Sequence, residues 1–348
     1  MNKRPGLSIP ILLILVLVFC GCSRDSGVGR TSGPRSKVLY SYFDTVTLIY
    51  SYAGDDENSF EDNCRTVEAV LRDYHMMLDI YNEYEGMNNL CTVNRNAGNG
   101  PVTVDRRLID VLLFAKEMYG LTEGRMDVMM GSVLSLWHDA RVSDPQYLPS
   151  DEALTEAGKH MGFDLLEIDM DNLTVRITDP EASIDVGAIG KGYATEAAAG
   201  ALEDRGVSGY VINAGGNLRC IGTKADGNGW VTGIRDPRNP ESLAVKVNVS
   251  DCSCVTSGGY ERYLEVDGKR YSHLIDRDTL RPASRYGSVS IITRDSGLAD
   301  ALATAVFCMD YEDGRSLVES LDGVQCIWID LDGKVLSAGS VGKEMMVL

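Results

Sequence analysis

Asp300 and Thr304 stand four residues apart in the run Leu298-Ala-Asp-Ala-Leu-Ala-Thr-Ala305. That spacing puts both side chains on one face of a helix, a turn apart. A carboxylate with a hydroxyl is a hard-oxygen pair of the kind Mg²⁺ takes, because that ion draws few ligands from protein and the rest from phosphate and water. Ala299, Ala301, Ala303 and Ala305 are small enough for another backbone to come close. An Asp near a helix start also serves as a plain dipole or capping residue, so the pair alone does not fix a metal.

A second segment offers an anion site. Asp185-Val-Gly-Ala188-Ile-Gly-Lys191-Gly192-Tyr193 is a Gly-rich turn leading into a helix. Exposed amides at a helix start and a lysine suit a negatively charged ligand. The same residues also suit a tight strand-to-helix turn with a surface lysine. The Walker phosphate loop is excluded, because Gly192 follows Gly190-Lys191 where that motif needs Ser or Thr, and Asp185 stands where it needs its first Gly.

Of the four histidines, only His273 lies in a conspicuous polar cluster, formed by Thr256-Ser-Gly-Gly-Tyr-Glu-Arg-Tyr263 and Tyr271-Ser-His-Leu-Ile-Asp276. It is a candidate general base, although a lone histidine serves as often as a structural hydrogen-bonder. Asp276 is its candidate orienting residue or a structural partner. Gly124-Arg-Met-Asp127, followed by Gly131 and Trp137, is a fourth polar, glycine-bearing segment.

The surrounding pattern supplies elements to hold these groups. Val38–Tyr52 reads as a strand, and 60–78 and 105–119 have helical spacing. Ser150 starts a short helix. Residues 165–170 and 173–178 alternate around Asp171-Asn172 as a hairpin. A helix over 189–205 ends at Gly206, and strand-like runs follow at 209–214, 217–223, 229–235, 244–249 and 261–266. Then come a strand at 286–292, a helix at 296–309 and a closing hairpin of 324–330 with 334–338. Mostly antiparallel strands with separate helices make an α+β protein.

Composition narrows the function classes. A net charge of −18 over 348 residues repels phosphate backbones and argues against nucleic acid. The scattered histidines and the lack of Cys-x-x-Cys argue against zinc. At the N-terminus, Asn2-Lys3-Arg4 precedes an apolar run, Leu7–Cys20, which has the length of a signal-peptide core and is short of a spanning helix. Phe19-Cys20-Gly21-Cys22 resembles a bacterial lipobox, with Gly21 before a lipidated Cys22. An ordinary secreted chain or a short uncleaved anchor are the alternatives. The expected division is a signal peptide over 1–21, Cys22 with a Ser/Gly/Arg-rich tether to residue 36, and one compact unit over 37–348.

Taken in order, the motifs resemble the signature of the ApbE family, the FAD:protein FMN transferases. They are Asp185 to Tyr193, Asn213 to Asn217, Ser257 to Tyr263, Tyr271 to Asp276 and Ala299 to Ala305. The resemblance implies an ApbE/T-fold-like α+β unit with helices packed on mostly antiparallel sheets. It implies Mg²⁺ held by the Ala188 carbonyl, Asp300 and Thr304. It places FAD against Asp185, Lys191, Leu274 and Arg125-Met126-Asp127, with Tyr81 as the aromatic that packs on the flavin. The family's early Met-Gly-Thr stands here as Phe43-Asp44-Thr45, which puts Phe43 in the flavin site. The implied activity is transfer of FMN from FAD to a Thr or Ser hydroxyl of an extracytoplasmic target, with release of AMP and with His273 as base. The implied acceptor is a membrane-associated redox subunit, reached from a lipid anchor. Hydrolysis of FAD to FMN and AMP, and a non-catalytic FAD-binding lipoprotein, are the alternatives.

Overall fold

The structure, a computed structural model, describes residues 34–340 and 345–348. The expected signal segment, Cys22 and the tether as far as residue 33 lie outside the described residues. Arg35 and Ser36, expected in the tether, belong to a strand, pairing with Ser51 and Tyr50. Phe43 and Asp44 both adopt positive φ, 53° and 51°, and split the strand expected over 38–52 into a hairpin of β1 (Arg35–Tyr42) and β2 (Thr45–Ser51). A Phe-Asp pair lacks the Gly, Pro or Asn-Gly chemistry that announces such a turn.

The order continues α1 (Glu57–Leu78), α2 (Leu90–Arg95), β3 (Val102–Thr103), α3 (Arg106–Leu121), α4 (Gly131–Val142), α5 (Asp151–Ala157), β4 (Leu166–Asp169), β5 (Thr174–Ile177) and α6 (Gly190–Glu203). Then come β6 (Tyr210–Ala214), β7 (Asn217–Ile221), β8 (Trp230–Asp236), β9 (Asn239–Val249), β10 (Ser253–Gly258), β11 (Tyr263–Val266), β12 (Lys269–Ser272), β13 (Ile275–Asp276), β14 (Arg281–Pro282) and β15 (Tyr286–Thr293). The chain closes with α7 (Ser296–Cys308), α8 (Tyr311–Glu319), β16 (Gln325–Asp330), β17 (Val335–Ala338) and β18 (Met345–Val347).

The central sheet has eight strands in the order β1-β2-β6-β7-β10-β15-β16-β17, and every pairing is antiparallel. Its middle strands β6 and β7 are buried at every position, because both faces are covered. Helices α1, α6 and α7 pack on one face. A small sheet, β18-β9-β8, covers the other through Trp230, Ile234, Val245 and Val247 against Val211, Leu218 and Ile327. This layering is the expected α+β architecture. The seven described cysteines are all free thiols, and all but Cys252 are buried as small apolar residues.

Helix α7 is apolar almost all round and is buried accordingly. Burying Leu302 and Phe307 completely stabilises the fold by about 2 kcal/mol each. Asp295 caps the helix by accepting from Leu298 N–H at 2.7 Å. Glu196 on α6 accepts the Ser296 N–H at 2.8 Å and also receives Arg219 of β7 at 3.0 Å, so one carboxylate ties both helices to the sheet. Where α6 and α7 cross, Gly192 leaves no room for a side chain. A Cβ there would lie 2.3 Å from the Ser296 carbonyl oxygen and 2.5 Å from the Asp300 Cβ.

Gly192→Ala should therefore lower stability by about 1–3 kcal/mol, by overpacking a site with no room to relax. Gly200→Ala on the same helix meets nothing within 4 Å and should raise stability by about 0.5–1 kcal/mol. Urea unfolding of the two variants beside the parent chain checks both signs.

Candidate active site

The close crossing delivers Asp300 to the start of α6. Its Oδ2 accepts the Gly192 N–H at 2.8 Å and lies 3.6 Å from Lys191 Nζ. The carboxylate is 3% exposed. Because Gly192 N–H goes to Asp300, it does not close a helical turn onto Ala188, whose carbonyl receives no backbone N–H among the described residues. Thr304 sits a turn further along α7, with Oγ1 3.4 Å from Ser257 Oγ on β10. Asp300, Thr304 and the Ala188 carbonyl thus present a carboxylate and two neutral oxygens, the donor chemistry of a hard cation with open positions. No cluster of three or more His, Cys, Asp or Glu suited to a metal occurs among the described residues.

His273 follows β12. The Arg262 carbonyl accepts both its backbone N–H, at 3.1 Å, and its ring Nδ1–H, at 3.0 Å. A carbonyl only accepts, so Nδ1 carries the proton and Nε2 keeps its lone pair. Burial of the ring, with the charges of Arg262, Arg141 and Lys191, pushes the imidazole pKa down to about 4. The ring is therefore neutral at neutral pH, with Nε2 able to take a proton.

Asp276 does not orient this ring. Its carboxylate accepts from Asp278 N–H at 2.9 Å and Thr279 N–H at 3.2 Å, and pairs with Arg285 at 3.2 Å. Among the described residues no hydrogen bond joins its carboxylate to the His273 ring. Its role is the structural one, holding the turn after β13.

The Gly-rich turn is anchored on both sides. Asn94 donates to the Ile184 carbonyl at 2.9 Å and accepts the Ile184 N–H at 2.8 Å, and Asp185 N–H donates to the Val128 carbonyl at 2.8 Å. That last bond brings the 125–127 stretch beside Asp185. The side chains of the stretch are otherwise engaged: Met126 is 1% exposed, Asp127 pairs with Arg277 at 3.1 Å, and Arg125 pairs with Asp278. Asp185 accepts the Gly187 N–H at 2.8 Å, and burial raises its carboxyl pKa.

Tyr81 is 56% exposed, with its ring 5.4 Å from that of His138. The charges of Asp185, Arg141, Asp44 and Arg262 all reach its phenol. Phe43 packs edge-on against His75 at 5.6 Å and lies over Gly190 at the start of α6. Leu274 is buried, and its carbonyl accepts from Ala283 N–H at 2.8 Å. Arg141 and Arg262 act on both Tyr81 and His273, Asp185 acts on Tyr81, and Lys191 acts on His273 and lies beside Asp300. Asp276 and the Asp127 carboxylate are turned to other partners. Sequence reasoning passed over Asn94, His138, Arg141 and Arg262 as site residues. Arg262 lay inside a quoted motif, whereas nothing in the sequence pattern around α4 singles out His138 or Arg141.

The sequence profile of the ApbE family matches residues 44–328. A Treponema pallidum protein named FAD:protein FMN transferase is 30% identical over an alignment of 354 residues, covering 96% of this chain and 95% of the relative. A Vibrio cholerae protein of the same name is 28% identical over 312 residues, covering 89% and 90%. Among solved structures, the ApbE protein of Thermotoga maritima superimposes with a TM-score of 0.78 at 28% identity, over 88% of this chain and 98% of that one. The flavin transferase ApbE from Vibrio cholerae gives 0.75 at 26% identity, over 89% and 99%. With a profile match across most of its length and relatives aligned nearly end to end, the chain belongs to the ApbE family.

Proposed function

We propose that this chain moves FMN from FAD onto a Thr or Ser hydroxyl of an acceptor protein and releases AMP. The observation that carries the reading is a neutral, Nδ1-protonated His273 that feels the charge of Lys191, which itself lies 3.6 Å from Asp300 at the start of α6. The family's relatives bear the name of this activity.

In this reading the acceptor oxygen attacks the phosphorus of the FMN half. The bond to the bridging oxygen breaks, and that oxygen leaves with AMP. The hydroxyl proton passes to His273 Nε2, which is free because the Arg262 carbonyl holds the ring proton on Nδ1 while burial and the nearby cations keep the ring neutral. Lys191 offsets negative charge on the departing phosphate. Asp300, Thr304 and the Ala188 carbonyl would hold Mg²⁺, which supplies charge neutralisation on the pyrophosphate when bound. Asp185, Tyr81, Phe43, Leu274 and the backbone of 125–127 would position the flavin nucleotide. The basic start, the apolar run and Gly21-Cys22 support a lipid-anchored chain on the extracytoplasmic face of a bacterial membrane, with a membrane-associated redox subunit as acceptor. A tether would raise the effective concentration for such a target.

Incubation with FAD, Mg²⁺ and a candidate acceptor, followed by intact-mass and nucleotide analysis, tests the reading. An acceptor heavier by one FMN moiety with AMP released supports it, and Asp300→Ala should slow that transfer by about 10²–10³-fold. Free FMN and AMP over an unmodified acceptor would move the assignment to hydrolysis, and bound but uncleaved FAD to a binding protein.

His273 also predicts a pH dependence of stability. Its pKa is depressed from 6.5 to about 4 on folding, so below pH 6.5 the unfolded chain binds the extra proton first. Stability should fall as pH drops from 6.5 toward 4, and His273→Asn should flatten that part of the slope. Urea midpoints at pH 7 and pH 5 for both chains read this directly; equal slopes would contradict the neutral imidazole.

A further inference from the structure

In this acidic chain, an arginine without a counter-ion is an exception. Among the described residues, every arginine except Arg141, Arg235 and Arg262 makes an ion pair with a carboxylate. Arg235 lies within reach of Tyr260 and Glu261. The other pair converges on the candidate active site. Arg141 comes from α4, and Arg262 from the residue before β11.

Their hydrogen bonds fix them without neutralising them. Arg262 donates to the Asp44 carbonyl at 3.1 Å, and an Arg141 guanidinium nitrogen lies 3.3 Å from His138 Nδ1. Neither partner is a carboxylate. Each guanidinium feels the other's field, and both act on His273. The carboxylates that face them, Asp185 and Glu261, are not in ion-pair contact with either, and burial shifts both toward the neutral form. Tyr81, Asp44 and Lys191 complete the charged and titratable surroundings. Two guanidiniums whose fields overlap, in a chain with carboxylates to spare, repel each other unless an anion sits between them.

We propose that Arg141 and Arg262 clamp the non-bridging oxygens of the flavin nucleotide's transferred phosphoryl group, and so set the selectivity of the site for phosphorylated flavin. The assignment rests on the flavin-transfer reading above and adds its specificity residues. A guanidinium presents paired N–H donors that match phosphate geometry, and it keeps its charge at every working pH. Charge spreads over those same oxygens as the phosphoryl group moves, so the clamp strengthens as the P–O bond breaks. The hydroxyl that His273 deprotonates must attack that phosphorus, which is why cations stand around a base.

The test is equilibrium binding to the full chain, read by flavin fluorescence, with FMN and riboflavin as probes and no acceptor present. The parent chain should bind FMN about 10²-fold more tightly than riboflavin, and Arg141→Gln and Arg262→Gln should each weaken FMN by about 10-fold or more while leaving riboflavin unchanged. Arg141→Lys and Arg262→Lys should fall in between, since the charge stays and the fork is lost. Equal affinity of the parent for the two flavins overturns the proposal. So does an equal loss for both flavins in the variants, which marks general disorder of the site. FMN binding intact in the Gln variants, with a raised KM for the acceptor protein, would hand the arginines to the acceptor. No binding of either flavin, nor of FAD, would overturn the flavin-transfer reading itself. If Arg262→Gln does not fold, Arg141→Gln carries the comparison.

Discussion

The approach of α6 to α7 at Gly192 is the contact on which the site depends. Without a side chain at 192, the two backbones come close enough for Asp300 to take the Gly192 N–H. That bond does three things. It gives a carboxylate inside an apolar helix the partner that burial demands. It draws Lys191 to the same carboxylate. It withdraws the amide that would otherwise cap the Ala188 carbonyl, and so frees an oxygen at the helix start. The alanines of α7 and the small residues of α6 serve this proximity as much as they serve core packing. Glu196 reinforces it from behind by joining Ser296 and Arg219.

Most of the frame was legible in the sequence because hydrophobic period carries strand and helix directly. The helices at 57–78, 106–121, 190–203 and 296–308 and the hairpins at 166–177 and 325–338 follow from spacing and capping residues. The turn at Phe43-Asp44 was hidden because a bulky residue in the left-handed region is held there by tertiary contacts, here His75 on Phe43 and Arg262 on Asp44. Helix α4 was missed because its face is only partly apolar and it buries against short strands that no local signal announces. The sequence also gives no hint that β8, β9 and β18 form a separate sheet, since that depends on which face of the central sheet is left uncovered.

The site was legible in part for the same reason. Asp300, Thr304, Lys191, Asp185 and His273 lie in runs whose composition exceeds what a core needs. Asp276 looked like a partner for His273 on sequence proximity, yet its carboxylate is taken by the turn amides of Asp278 and Thr279 and by Arg285, and a carbonyl takes the role instead. A backbone oxygen has no residue type to read. Arg141 was invisible for a related reason: what marks it is the absence of a counter-charge among the described residues, which only three-dimensional neighbours reveal.

Asn94 has a wider consequence. Its amide copies a strand's donor and acceptor to hold Ile184, while Val128 holds Asp185. The part of the candidate site formed by Tyr81, Arg141 and Asp185 therefore depends on the segments between β2 and α6. Thr304 and Asp300 belong to the central layer. Both sides of the site nevertheless share one apolar core, in which α1 and α3 pack with α6 and α7. A molecule held by groups from both becomes part of the architecture, and the free energy of holding it is also cohesion of the fold.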